Sequence, residues 1–180
     1  MQGSIFSFFS DMVVEKLGII VWEELLDDVK PSTEGVYTTG AQYEDGELFS
    51  LVGALSEKTG IPVNDLVYQF GVYLFGRLYD ASPTPLKEVK SCKELIKMVD
   101  SVIHVEVKRL YPDAYLPMFR YEKETENGLT LIYQSKRKLC RLCEGLLQGA
   151  ASHFDATLTI DHPVCMHKGS DHCELHLSFE

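Results

Sequence analysis

The stretch Leu129-Thr130-Leu131-Ile132-Tyr133-Gln134-Ser135-Lys136-Arg137 decides how this chain is read. Its alternation predicts a strand whose successive side chains point to opposite faces. Leu129, Leu131, Tyr133, Ser135 and Arg137 then share one side, apolar at its start and ending in two hydroxyls and a guanidinium. Such a row fits an amphiphile with its greasy body inside and carboxylates at the rim, because Arg137 can fork onto a carboxylate while the hydroxyls donate hydrogen bonds. A strand end with ordinary surface polar residues explains the row more economically, so the row alone assigns nothing.

Working outward, Leu116 to Tyr121 reads as a partner strand joined through Asn127-Gly128, a hairpin signal. Leu139 to Ser152 reads as a helix, and Thr157 to Ile160 and Cys173 to Phe179 as strands. Upstream, the pattern is mainly helical. Met12, Val13, Leu17 and Ile20 recur at helical spacing. So do Leu48, Leu51, Val52 and Leu55, up to Thr59-Gly60. Pro62 opens a helix with Leu66, Phe70, Tyr73, Leu74 and Leu78 on one face. Ser82-Pro83-Thr84-Pro85 is a breaker, and Ser91 to Leu110 reads as one helix with Leu95, Val99, Val102, Ile103, Val107 and Leu110 as its stripe. The expectation is an α+β fold over residues 1–180 as a single domain, helical to about residue 82 and mixed from about 83 to 180.

Composition narrows the function. At 45% hydrophobic and 24% charged, the chain is too apolar for disorder. A net charge of −10 repels a duplex nucleic acid. The basic run Lys136, Arg137, Lys138 and Arg141 is too short for a nucleic-acid footprint but suits a small anion. Neither a signal peptide nor a membrane span is visible, so a cytoplasmic protein is expected. Five cysteines without an export signal argue against a disulfide framework.

His104 precedes the Tyr133 row by about thirty residues and lies at the edge of its helix's apolar stripe, near Asp100 and Tyr111. A lone histidine there is usually a satisfied helix residue. Its functional reading is a neutral imidazole offered to an iron. Four of the five cysteines follow residue 139, beside five of the six histidines, and raise the question of metal. Candidate ligands are Cys140, Cys143, His162, Cys165, His167, His172 and Cys173; a tetrahedral zinc needs four. Cys140 and Cys143 compete for one place. On a helical wheel Cys140 points about 160° from Leu142 and Cys143 about 100°. If Leu142 faces away from the sheet, Cys140 faces it more directly, so the expected set is Cys140, His162, Cys165 and Cys173. Cys143 could instead be a redox-reactive thiol.

Taken together, Tyr133-x-Ser135-x-Arg137 and the helical His104 resemble the haem nitric oxide/oxygen-binding (H-NOX) family. The likeness extends to Met1-x-Gly3, the Ser50-to-Gly60 helix end, Val102-Ile103-His104, Leu116-Pro117 and Glu144-Gly145-Leu146. This family includes the haem domain of soluble guanylate cyclase and stand-alone bacterial sensors. The resemblance implies a helical distal lobe clasping haem b against a proximal lobe with a four-stranded antiparallel sheet. His104 would ligate the iron. Tyr133, Ser135 and Arg137 would hold the propionates, and Pro117 would press the porphyrin out of plane with Ile5 opposing it. Ile5, Phe9, Leu74, Leu78, Leu142 and Leu146 would line the pocket. Oxygen-binding members are similar to one another in a distal tyrosine nine residues after the motif tyrosine. Leu142 stands there, so nitric oxide rather than oxygen is expected, with carbon monoxide a non-physiological ligand. Tyr68 or Tyr73 is the substitute donor that could overturn this.

The resemblance also implies the mode of action: nitric oxide releases the proximal histidine, and the domain regulates a partner, a sensor histidine kinase or a cyclic-di-GMP enzyme. Some proteobacterial members carry a structural zinc, and Cys140, His162, Cys165 and Cys173 match its spacing. No nucleophile–base constellation, phosphate loop or paired carboxylate suggests an enzyme; Cys143 or Cys165 as a nucleophile is the weakest reading. The competing reading is a haem-free, zinc-stabilised small-molecule module, because Cys165 to Phe179 also looks like the ligand-binding domains of the vinyl reductase type.

Overall fold

The computed structural model describes residues 1–81, 86 and 88–180. The expected breaker Ser82-Pro83-Thr84-Pro85, and the lobe boundary placed there, lie outside the described residues.

Helix α1 spans Gly3–Leu17 and α2 spans Ile19–Val29. Gly18 separates them at φ 95°, a conformation that a side chain disfavours. The expected stripe therefore stops at this break: Met12 and Val13 are buried, but Leu17 is 41% and Ile20 67% exposed. Helix α3, Asp45–Thr59, ends where Gly60 takes the left-handed cap conformation. Helix α4, Val63–Asp80, starts directly after Pro62. These four helices enclose an apolar core centred on Phe6, Phe9, Val13, Leu25, Leu51, Leu55 and Leu74.

The single helix expected over Ser91 to Leu110 is three pieces: α5, Cys92–Met98; a π turn, Val99–Ile103; and α6, His104–Leu110. Ser91 caps the start, its hydroxyl accepting from the Glu94 amide at 3.2 Å. The π turn holds an extra residue, which rotates everything after it relative to an ideal helix. The apolar stripe consequently leaves the core, and Leu110 is 63% exposed.

Strands β1, Met118–Thr125; β2, Gly128–Gln134; β3, Leu158–Val164; and β4, Cys173–Phe179 form one antiparallel sheet in the order β1-β2-β4-β3. The first strand begins after Leu116 and Pro117, later than expected. The hairpin turns at Glu126 and Asn127, with Gly128 already paired to Thr125. The turn sits one residue earlier than the Asn-Gly signal because the pairing shifts register between Glu122 and Thr125, where Lys123 adopts a positive φ. Strand β3 runs on to Val164 and tolerates Pro163 because it lies at the sheet edge.

Helix α7, Cys140–His153, is shared between two cores. Cys140, Cys143, Leu147, Ala150 and Ala151 pack with Leu131, Tyr133, Leu175 and Leu177 of the sheet. Leu142 and Leu146 pack against the N-terminal core. The approach of α7 to α4 is set by glycine: a Cβ on Gly145 would fall 2.1 Å from the Tyr68 carbonyl oxygen, and one on Gly71 would fall 2.4 Å from that of Leu142. Among the described residues no helix is long and apolar enough to cross a membrane.

Candidate functional site

His104 opens α6 immediately after the π turn, and Asp100 lies one turn before it. The Asp100 carboxylate is 3.1 Å from His104 Nδ1. Asp100 accepts only, so the proton sits on Nδ1 and the lone pair on Nε2. Nε2 makes no hydrogen bond among the described residues. Burial lowers the imidazole pKa and so favours the neutral ring, and Asp100 partly counters it. An aromatic path leads from this ring to the sheet: Phe119 at 5.3 Å, then Tyr133 at 5.7 Å from Phe119.

Tyr133 and Ser135 are buried, and burial pushes the Tyr133 phenol well above its usual value. The strand does not carry Arg137, as the alternation implied. Strand β2 ends at Gln134, and a turn follows in which the Ser135 hydroxyl accepts from the Arg137 amide at 3.2 Å. That turn sends the guanidinium across to the N-terminal half of the chain. It forks onto Asp45 of α3, Nε to Oδ2 at 2.5 Å and Nη2 to Oδ1 at 3.0 Å, and Nη1 donates to the Tyr115 carbonyl at 2.8 Å. The N-terminal amine meets the same carboxylate at 2.9 Å. Burial alone would raise the Asp45 carboxyl, but the Arg137 and N-terminal hydrogen bonds outweigh it and hold it below the usual range. Sequence offered no signal for this pair, 92 residues apart.

The other expected pocket residues divide. Ile5, Leu142 and Leu146 are half-buried at the edge of the N-terminal core; Met98, Val102, Ile103 and Phe119 are their counterparts on the sheet core. Phe9 and Leu74 are buried inside, with Phe9 edge-on to Trp22 and Phe70. Pro117 is half-buried just before β1. Leu78 departs from expectation: it is 41% exposed, because α4 has left the core by its last turn, and helical spacing does not reveal where a neighbour ends. A cavity of about 240 Å³ has Ile5, Phe70 and Leu142 in its walls and Arg137 and Arg141 at its rim. His104 and Tyr133 do not line it. Tyr73, a possible donor, turns its hydroxyl to Arg77 Nε at 3.1 Å, and Tyr68 lies under the Arg141 guanidinium at 5.0 Å.

The cysteine–histidine cluster assembles from four separate elements. Cys140 opens α7, His162 is on β3, Cys165 follows β3 and Cys173 opens β4; their ligand atoms all lie within 4.8 Å of one another. Burial, then the neighbouring thiols Cys173 and Cys165, push the Cys140 thiol up to about 12. Burial also raises the Cys173 thiol, and a divalent cation at the cluster would reverse both shifts. The Nε2 of His162 is buried and has no hydrogen-bond partner. An orphaned imidazole nitrogen beside three sulfurs fits a tetrahedral metal. Glu144, which sequence reasoning did not single out as a site residue, stands 2.6 Å from His162 Nδ1. Cys143 lies outside the group. It is buried, and burial pushes its thiol up. His167 and His172 also bond elsewhere, to the Lys138 carbonyl and to Asp171.

The Haem-NO-binding family model matches residues 2–162 of the chain. An H-NOX protein from S. oneidensis in the Fe(II)NO ligation state is 37% identical, with a TM-score of 0.93 over 100% of this chain and 99% of that one. An unliganded Fe(II) H-NOX protein from K. algicida is 30% identical, with a TM-score of 0.90 over 100% and 97%. Soluble guanylate cyclase gcy-31 of Caenorhabditis elegans is 26% identical over 140 residues; these make up 77% of this chain but only 20% of that protein, so the chain spans about a fifth of its curated relative. The chain therefore belongs to the Haem-NO-binding, or H-NOX, family of haem gas-sensing domains.

Proposed function

We propose that this chain is a haem-based nitric oxide sensor in which His104 ligates the iron. The observation that carries the reading is the state of His104: Nδ1 held by Asp100, Nε2 free of hydrogen bonds among the described residues, and a ring kept neutral by burial. When bound, ferrous haem would supply an iron able to take both an imidazole and a diatomic gas, with His104 the residue that holds it and that nitric oxide would loosen. The chain's own groups do the rest. Tyr133 and Ser135 would donate hydroxyl hydrogen bonds to the propionates. Arg137 keeps a hydrogen on each Nη for them while its Asp45 pairing stands. Pro117 and Ile5 press from opposite sides.

Gas choice follows from the distal side. Leu142 and Leu146 offer no hydrogen-bond donor, and the Tyr73 hydroxyl is turned toward Arg77, from which it accepts, and Glu15, to which it can donate. Bound dioxygen is polarised and needs a donor; nitric oxide does not. A spectrum of the reduced protein with nitric oxide and with air tests this. A strong Soret band that nitric oxide shifts, with no stable oxy form in air, is expected. A stable oxy complex defeats the selectivity argument, and a colourless protein favours the haem-free module of the vinyl reductase type. Leu142→Tyr should introduce oxygen binding if its hydroxyl reaches the gas.

Zinc at Cys140, His162, Cys165 and Cys173 is the second cofactor of this reading, favoured by the orphaned His162 nitrogen. It would act as a structural cross-link between α7 and the sheet. The reading assigns the output to a cytoplasmic signalling partner, a sensor histidine kinase or a cyclic-di-GMP enzyme.

A further inference from the structure

We infer that Glu144 is the positioning residue of the thiol–imidazole metal centre, fixing the His162 ring so that Nε2 is the ligand nitrogen; the inference rests on the zinc reading. Glu144 is buried, and a buried carboxylate is stable only when its oxygens are used. Both are. Oε1 accepts from His162 Nδ1 at 2.6 Å, and Oε2 pairs with Arg141 Nη1. A proton donated from Nδ1 to a carboxylate leaves the lone pair on Nε2, locks the tautomer and raises the basicity of the ligand nitrogen. Nε2 is also the atom left buried and without a partner. Two independent observations, the short Nδ1 contact and the orphaned Nε2, thus define one orientation of one ring.

The helix explains how the device is built. Cys140 and Glu144 are four residues apart on α7, so one face of one helix supplies both a thiolate and the group that aims the imidazole. Arg141 balances the buried charge and anchors it outward, lying over the Tyr68 ring at 5.0 Å and 3.8 Å from Asp65, both on α4. The metal centre is thereby braced against the helix that forms the other lobe's wall.

The test measures zinc affinity by competition with a chromophoric chelator, and the cobalt(II) absorption spectrum, for the full chain and three variants. Glu144→Gln keeps an acceptor at the same reach and should hold metal within a few-fold of the unmodified protein. Glu144→Asp keeps the charge but withdraws it by one methylene. It should lose about 10- to 100-fold in affinity and shift the cobalt bands, as loss of an outer-shell partner does. Glu144→Ala should lose at least as much. If Glu144→Ala does not fold, the Gln and Asp pair decides. Glu144→Asp binding zinc as tightly as the unmodified chain, with an unchanged cobalt spectrum, overturns the inference while leaving the zinc site standing. Failure of the unmodified chain to bind zinc removes the zinc reading itself.

Discussion

The two cores of this protein differ in kind. The N-terminal core is hydrocarbon and aromatic throughout, Phe6, Phe9, Trp22, Leu25 and Leu51 among them, with its charged groups on the rim. The C-terminal core buries Cys140, Cys143, Cys173 and Tyr133 among its leucines, Glu144 is buried beside it, and the proposed iron and zinc ligands lie on the elements around it. One half is a wall and the other a ligand set. On the proposed reading a diatomic gas that loosens His104 acts first on the C-terminal half, which is linked to the N-terminal half through α7, packed on both cores, through Phe75 and Tyr79 of α4, which pack on the sheet core, and through the Arg137–Asp45 pair. A partner that reads the sensor must read a difference between those two states.

His104→Gly breaks the comparison most severely. It should abolish haem uptake or make it depend on added imidazole, because His104 is the imidazole the reading assigns to the iron. Wild-type haem content with an unchanged ferrous spectrum would show that another residue ligates. Cys173→Ala comes next. Elemental analysis should find about one zinc per chain in the unmodified protein and none in the variant. Chelation should destabilise the sheet while leaving the N-terminal helices more protected in hydrogen exchange, because a structural metal contributes directly to folding.

Gly145→Ala tests the shared helix. The added methyl would fall 2.1 Å from the Tyr68 carbonyl, so α7 must move off α4. A loss of about 1–3 kcal/mol is expected from overpacking of this sort, read from denaturant midpoints; a neutral result would mean the two helices are not held at this spacing. Asp45→Asn has the smallest effect, roughly 1 kcal/mol for a partly exposed pair. The Asp45 carboxyl is held below its usual value, so its pairing stabilises the fold above the unfolded carboxyl pKa of about 3.9 and fades as pH falls through the folded value. The melting temperatures of variant and parent should thus differ at neutral pH and converge in acid.

Much of this was legible in the sequence, where local pattern governs local structure. The strands at Leu129 to Tyr133 and Cys173 to Phe179 followed from alternation, the four-stranded antiparallel sheet from the family resemblance, and the cysteine cluster from spacing and a helical wheel that turned Cys140 toward the sheet. What stayed hidden depends on geometry that no periodicity records. The π turn at Val99–Ile103 shifts the helix phase by one residue without a breaker to announce it. Leu78 keeps the spacing of Leu74 but outruns its neighbours. Asp45 meets Arg137 only because a turn after β2 redirects the guanidinium. Glu144 appeared within a family motif, but its role required the distance to His162.

On the proposed reading His104 ties the π turn and α6 to the iron until nitric oxide releases it. Amide hydrogen exchange across Val99–Leu110, measured in the ferrous protein with nitric oxide and with carbon monoxide, tests it most directly. Carbon monoxide leaves a histidine ligand in place, so exchange there should match the unliganded protein, whereas nitric oxide should accelerate it several-fold. Equal exchange with the two gases would contradict release of His104 as the signal.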